Sequence, residues 1–496
     1  MQPTRRDFLA ATGGAGALAA CQTTPGPRKT NRPNFLFFFP DQHRSDWVEW
    51  NPAVPVPTPN LAALRARGVS FSNAVVDSPV CGPSRACLAS GSRYERCGVI
   101  DNGQNYPMER GSYYKALRDG GYHVMGCGKL DLRKVDRAWG IDGKGSMEPL
   151  GFSDMIDNAG KNAGGAAFRK EPLGPKDPYF AYLESLDPPL GEVWAKELDR
   201  LGVVKWNDLV SREDKTGLDE LLAKETWWGE TKPVALPDDA YCDNWVARNG
   251  LELLDRAPDE KPWHLVINFV GPHPPMDITH NMEAQYRGPD RVIDNFEQPN
   301  NYSGPFPAEQ HIRIRQNYAA MIENVDRWLG VYVDKLKERG ELDDTIIVYS
   351  SDHGEQLGDH SLWSKTYPFH SSAGVPLVAA GPGIRNGFDS DAQASLIDLT
   401  ATFMDYGEAG ELEYQDGQSL RPILENVSDS HREYSRSSLT IRSGVWRFAQ
   451  DHRYKLVEGY AEPRLYDREA DPFENDNLFD SKPGEVERLS KLFADA

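Results

Sequence analysis

Apolar residues in this chain cluster in short unbroken runs between glycines, prolines and charged turns. The first is Asn34-Phe35-Leu36-Phe37-Phe38-Phe39. An unbroken run suits a strand covered on both faces, because a strand with one wet face would alternate. The same pattern predicts strands over Tyr122–Cys127, His264–Val270, Thr345–Ser350 and Val375–Ala379. Helices lie between them. Asn60 caps a short one over Leu61–Arg67, Ser112 starts one ending at Gly120-Gly121, and Asp243–Leu254 forms another. The clearest helix is Arg315–Arg339, where Tyr318, Ile322, Val325, Leu329, Val333 and Leu336 recur every three or four residues and Gly340 stops it. Strands alternating with helices predict an α/β fold, a large and mainly parallel sheet with helices on both faces.

Two stretches break the pattern. From Gly140 to Asp239, Gly, Pro, Trp and charges are mixed, and the stretch reads as long surface insertions that shape a cleft or merely connect. After about Asn426 come short β-like pieces, Ser437–Ile441, Val445–Gln450 and Tyr454–Val457, then Leu465-Tyr466-Asp467 and a helix over Gly484–Phe493. The expected organisation is a leader over 1–31, a catalytic domain over 32–425 and a small C-terminal α+β domain over 426–496.

Parallel sheets bind ligands beyond the carboxyl ends of their strands. Asp41, Lys129, His273 and Asp352 each fall just past such an end, so four segments bring polar groups to one edge. A fifth group comes from Cys81, which precedes Gly82-Pro83 and a helix. Proline suits a first helical turn, and the N–H groups and positive dipole gathered there favour an anion. Arg85, one turn on, offers a fork of donors to the same anion.

Charge narrows the function. The 75 acidic and 55 basic residues among 496 give a formal charge of −20. That argues against nucleic-acid binding and against a basic membrane-surface role, and any anion site must be a local cluster of Arg and Lys. The chain is long enough for two domains.

The first residues read as an address. Thr4-Arg5-Arg6-Asp7-Phe8-Leu9 matches the twin-arginine export signal, and the apolar stretch Phe8–Ala20 is too short to span a bilayer. Leu18-Ala19-Ala20-Cys21 resembles a bacterial lipobox, which makes Cys21 an acylated first residue and Gln22–Arg32 a tether; an ordinary signal peptide cut near Ala20 is the other reading. The expectation is a bacterial envelope or periplasmic protein, exported by the twin-arginine machinery and touching membrane only through its N-terminal lipid. Cys87, Cys97, Cys127 and Cys242 show no metal-ligand spacing, and their pairing cannot be read from sequence.

Cys81-x-Pro83-Ser84-Arg85 followed by Leu88-x-Ser90-Gly91 resembles the signature of the formylglycine-dependent sulfatases of the alkaline phosphatase superfamily. Leu465-Tyr466-Asp467 with Asp471-Pro472-x-Glu474-x-x-Asn477-Leu478 resembles their closing segment, so the likeness runs from about Arg32 to the end. It implies an α/β sulfatase fold and hydrolysis of a sulfate ester, with a sulfated small molecule or glycan as substrate. It implies that a maturation enzyme converts Cys81 to formylglycine. It further implies Asp41, Gln42, Asp352 and His353, with residue 81, as ligands of a divalent metal. Oxygen donors suit Ca²⁺, with Mg²⁺ as the alternative. His273 takes the place of the acid that protonates the leaving alcohol, Lys129 and Lys365 the lysines that hold sulfate, and Arg85 the residue that orients the aldehyde.

The chain departs from that pattern at several positions. Gln42 stands where many relatives have a second Asp, Ser92 separates Gly91 from Arg93, and Gly374 replaces a common Arg. Asp131 occupies the position of a histidine that assists the second chemical step, which makes it a candidate base, with Arg133 and the Asp359-His360 pair as other substitutes. Rival readings are a phosphonate monoester or phosphodiester hydrolase of the same superfamily, a phosphatase, and an anchored binding protein without turnover.

Overall fold

The computed structural model describes residues 32–54, 56–202, 228–287 and 306–493; Arg5, Arg6 and Cys21 lie outside them. Eight strands form one sheet: β1 (Asn34–Phe38), β2 (Gly68–Val75), β3 (His123–Gly128), β4 (Asp154–Asp157), β5 (Trp263–Asn268), β6 (Thr345–Tyr349), β7 (Val378–Ala380) and β8 (Phe388–Ser395). Their order is β4-β3-β5-β1-β6-β7-β2-β8. β1 pairs in parallel with β5 on one side and β6 on the other, Leu36 lying opposite both Leu265 and Ile347. β7 alone among these strands runs against its neighbours β6 and β2.

The unbroken apolar runs have the predicted cause. Leu36 and Phe38 point into one core, with Leu265, Ile267, Ile347 and Tyr349. Phe35, Phe37 and Phe39 point into the other, with Val266, Ile346 and Val348. Each such side chain, fully buried, contributes roughly 1.5–3 kcal/mol, so the central strands anchor both layers at once. The long helix Ala308–Glu338 covers the first face, burying Tyr318, Ile322, Val325, Leu329 and Leu336, and it begins seven residues before the periodic stretch. Those first turns carry His311, Ile314 and the fully buried Arg315, a polar mixture that masks the period.

Outside residues 203–227, which are not described, the stretch after Gly140 corrects the expectation of surface insertions in part: Asn162, Ala163 and Ala166 do line a cleft, but the segment is built of packed elements. It adds β4 to the sheet edge, in parallel with β3, and the helices Gly160–Phe168, Pro178–Ser185 and Gly191–Arg200. Tyr179, Phe180, Leu183, Trp194 and Leu198 are buried in the first core. The glycines that resembled loop are packing positions. A Cβ on Gly164 would lie 3.0 Å from the Phe180 ring, and one on Gly165 would collide with Leu198. Small residues let these short helices approach closely, which composition alone presents as a turn signal.

A second sheet, antiparallel, contains β9 (Ser435–Ile441), β10 (Gly444–Gln450), β11 (Tyr454–Glu458) and β12 (Arg464–Asp467). One face gives Trp446, Phe448, Val457 and Tyr466 to the second core of the large sheet. The other packs Leu456 and Leu465 under Leu489 and Phe493 of the C-terminal helical segment.

Candidate active site

β1, β3, β5 and β6 are neighbours and run the same way, so the residues after them share one edge. Asp41 follows β1, Lys129 follows β3, the turn with His273 follows β5, and Asp352-His353 follows β6. Cys81 arrives from the helix Cys81–Ser90, whose ten residues are all buried. The helix starts at Cys81 itself, which moves Pro83 from the expected first helical position to the third. Its missing N–H still falls among the donors that have no partner within a helix. Gly82 N–H donates to Asn102 Oδ1 at 2.8 Å, so a side chain from a later loop caps the first turn.

One carboxylate oxygen from each of Asp41 and Asp352, His353 Nε2 and Cys81 Sγ all lie within 4.8 Å of one another, and all four residues are buried. His353 Nδ1 is 2.9 Å from the Gly354 carbonyl, which can only accept, so Nδ1 carries a proton. Nε2 faces Asp41 Oδ1 at 3.5 Å and Asp352 Oδ1 at 3.6 Å. Three acceptors in this arrangement repel unless a proton or a cation lies among them. The donors are two carboxylates and an imidazole beside the amide of Gln42, and they fit a divalent cation that prefers oxygen.

Cations ring the same point. Lys365 Nζ is 2.8 Å from Cys81 Sγ and 3.1 Å from Gln42 Oε1. Lys129 Nζ pairs with Asp41 and lies 3.1 Å from Asp131. Arg85 donates to Asp352 Oδ2 at 2.9 Å, to the Lys129 carbonyl at 2.6 Å and to Asn268 Oδ1 at 2.9 Å, and its guanidinium lies over the Phe39 ring. Burial and Asp41 push the Cys81 thiol up, but Lys129, Lys365 and His353 outweigh them and bring it down to about 5. Burial raises Asp41 too, yet Lys129 and the nearby imidazole and ammonium groups hold it well below the ordinary carboxylate range. Asp352 goes the other way, raised by burial and by Asp41.

The Gln42 amide shows why an amide suits this position. Its NH₂ donates to the buried carboxylate of Glu355, while its oxygen faces Lys365. A carboxylate at 42 would confront Glu355, which burial already raises. The sequence pattern does not single out Asn268 or Asn102, nor the contact that Glu355 makes. Glu355 lies two residues after His353, and Asn268 ends an otherwise apolar strand, so a buried polar residue at a strand end was the available signal.

His273 lines a cavity of about 590 Å³ together with Cys81, Gln42 and Lys365. Its Nδ1 is 2.6 Å from the Pro274 carbonyl, which fixes the ring at the cavity wall. Burial, then Lys365, lowers its proton affinity well below that of a free histidine. Asp131 is not among the cavity-lining residues. It bridges Lys129 and Lys134, each at 3.1 Å, and although burial opposes it, Lys129 and Lys134 hold its carboxyl far below the usual range. So weak a base is better suited to fixing Lys129 than to taking a proton. Of the other substitutes, Arg133 pairs with Asp136, Asp359 pairs with Arg44 and Arg315, and His360 stacks on Phe369. At Gly374 a Cβ would lie 2.6 Å from the His370 ring, so this backbone has no room for the arginine of relatives.

The Sulfatase family profile matches residues 33–409. The chain belongs to the sulfatase family. Residues 358–493 also match the profile described as N-sulphoglucosamine sulphohydrolase, C-terminal, so that likeness takes in the small antiparallel sheet. A choline-sulfatase of Rhizobium meliloti is 27% identical, over 93% of this chain and 85% of its own length. An N-acetylglucosamine-6-O-sulfatase of Bacteroides thetaiotaomicron is 24% identical, over 93% and 85%. Among solved structures, the phosphonate monoester hydrolase of Agrobacterium radiobacter shares the fold, with a TM-score of 0.70, 24% identity and coverage of 94% of this chain and 96% of that one. The sulfatase is thus a sulfuric ester hydrolase on a mainly parallel α/β sheet with a smaller antiparallel sheet at its C-terminus.

Proposed function

We propose that this sulfatase is exported and hydrolyses a sulfate ester on a glycan, with Cys81 matured to formylglycine and a divalent cation, Ca²⁺ before Mg²⁺, held by Asp41, Gln42, Asp352, His353 and residue 81. The observation that carries the reading is the ring of Lys365, Lys129 and His353 around Cys81, at the floor of a cavity in a chain of charge −20. Formylglycine supplies, as its hydrate, an oxygen nucleophile for sulfur, and the cation supplies positive charge at that nucleophile and at the sulfate oxygens.

The protein's own side chains do the rest. Lys129 and Lys365 hold sulfate oxygens, and Asp131 keeps Lys129 in place through their ion pair. Arg85 ties Asp352 to the ends of β3 and β5 through the Lys129 carbonyl and Asn268, so the ligand carboxylate cannot drift. His273 delivers a proton to the leaving alcohol. An anionic ester seated beside it offsets the repulsion of Lys365 and raises its proton affinity in the complex. The leader fits delivery to the envelope by the twin-arginine machinery, maturation by a formylglycine-generating enzyme and a lipid on Cys21. A Cys21→Ala variant then leaves membranes without losing catalysis.

The deciding experiment compares substrates on the matured full-length enzyme. 4-Nitrophenyl sulfate and a hexose 6-sulfate are expected to show a higher kcat/KM than a phenylphosphonate monoester. The reverse order makes the protein a phosphonate hydrolase and overturns the proposal.

A further inference from the structure

The cavity above Cys81 has a second cationic region. Lys134 and Arg137 line it from the loop that follows Lys129, and among the described residues none that lines it is an aspartate or glutamate. In a chain with 75 acidic and 55 basic residues, such a lining favours an anionic ligand over a cationic one. Asp131, the carboxylate nearest to Lys134, is shared with Lys129 and lies outside the lining. Asp136, the neighbour of Arg137, is taken by Arg133. The Arg137 guanidinium has no ion pair or hydrogen bond among the described residues, and its backbone sits at φ 52°, in a region that favours glycine. Arg137 is exposed, so its guanidinium is open to a ligand entering the cavity, and its planar fork suits a carboxylate or sulfate.

Besides Cys81, His273 and Lys365, already placed, the other lining residues are neutral or apolar. Asn162 lines the cavity with its Oδ1 buried and unpartnered, an acceptor suited to a hydroxyl group. Trp139, Val135 and Pro274 supply apolar surface. At about 590 Å³ the space exceeds what one sulfate group fills.

We propose that Arg137 and Lys134 form a second anion site, and that the preferred substrate is a saccharide whose leaving alcohol carries a carboxylate or a further sulfate. This rests on the sulfatase reading of the same site. A substrate with a cationic leaving alcohol would place its charge in an acid-free, lysine- and arginine-lined space and is disfavoured. Long-range repulsion by the acidic surface is offset only where the cations are local.

The test uses the matured full-length enzyme with four probes: glucose 6-sulfate, glucose 3,6-disulfate, choline sulfate and 4-nitrophenyl sulfate. The disulfate is expected to exceed the monosulfate in kcat/KM by ~10-fold at low salt, through KM, with the advantage shrinking as salt rises. Choline sulfate should be the poorest of the four. Arg137→Ala should cut the disulfate-to-monosulfate ratio by roughly 3- to 10-fold, and Arg137→Lys should restore part of it, which a structural role would not do. Equal kcat/KM on mono- and disulfate, or a ratio indifferent to Arg137→Ala, overturns the second site. If no sulfate ester turns over, the sulfatase reading fails separately. Calorimetry with the two glucose sulfates then judges the second site, and equal Kd values overturn it.

Discussion

Lys365 Nζ lies 2.8 Å from Cys81 Sγ. A buried ammonium in that position stabilises the thiolate over the thiol, and with Lys129 and His353 it outweighs burial and the Asp41 carboxylate to bring the group to about 5. In metal-free protein left unmatured, alkylation of Cys81 should therefore rise with a midpoint near 5, and the rate should be flat above it. Lys365→Met removes a positive charge, so the midpoint moves up, by about 1–3 pH units for the loss of one close opposite charge. A wild-type midpoint above 8, measured as alkylation rate against pH, would contradict this charge balance.

His273 is expected to matter in proportion to how badly the alcohol leaves. A sugar alkoxide needs a proton and a nitrophenolate does not. His273→Ala should lose ~10²–10⁴-fold in kcat on a hexose sulfate, the range of general acid catalysis, and much less on 4-nitrophenyl sulfate. Steady-state kinetics on the two substrates give the comparison, and equal losses would remove His273 from the acid role.

Chelation gives a check that does not depend on turnover. An ion bound only by the folded state raises stability by mass action, by about 2.7 kcal/mol at a hundredfold excess over Kd. Adding Ca²⁺ to chelator-treated protein should raise Tm, and Mg²⁺ should do so less. Asp352→Asn should abolish the Ca²⁺ shift, because it removes charge from a donor set built of two carboxylates. A Tm indifferent to Ca²⁺ in wild type would count against the metal site.

Asp77 gives stability an acid-side preference. Burial raises its carboxyl to about 7, against the downward pull of the Ser395 hydroxyl and Arg432. The folded state thus binds more protons than the unfolded one, so this group's contribution is fully present below an unfolded pKa near 4 and is lost as pH rises to about 7. The loss is on the order of 4 kcal/mol over that window. Asp77→Asn should flatten it, so that the variant gains on wild type as pH rises from 4 to 8. Parallel urea titrations of the two proteins provide the measurement, and parallel pH profiles would refute the assignment.

The strands that position the site were legible because both faces of β1, β5 and β6 are covered, which leaves unbroken apolar runs such as Phe35–Phe39. A polar residue just past such a run marks the sheet edge, and Asp41, Lys129 and Asp352 stand out for that reason. Other contacts of the site lack such local contrast. Asn268 and Glu355 act through Arg85 and Gln42, partners distant in sequence, and nothing near them announces the contact. The apolar run Val375–Ala379 predicts a strand there, whereas β7 is Val378–Ala380 and runs antiparallel. Three apolar residues carry no sign of direction, which the return connection decides. The helices after Gly160 were hidden because glycine serves close packing and turning alike.

The central claim is that residue 81 reacts as an aldehyde. Peptide mass spectrometry of active enzyme, with Cys87 as the internal reference, tests it most directly. The expected result is aldehyde in place of thiol at residue 81, thiol retained at Cys87, and specific activity proportional to the converted fraction. Full turnover from a preparation whose residue 81 is entirely thiol would contradict the account.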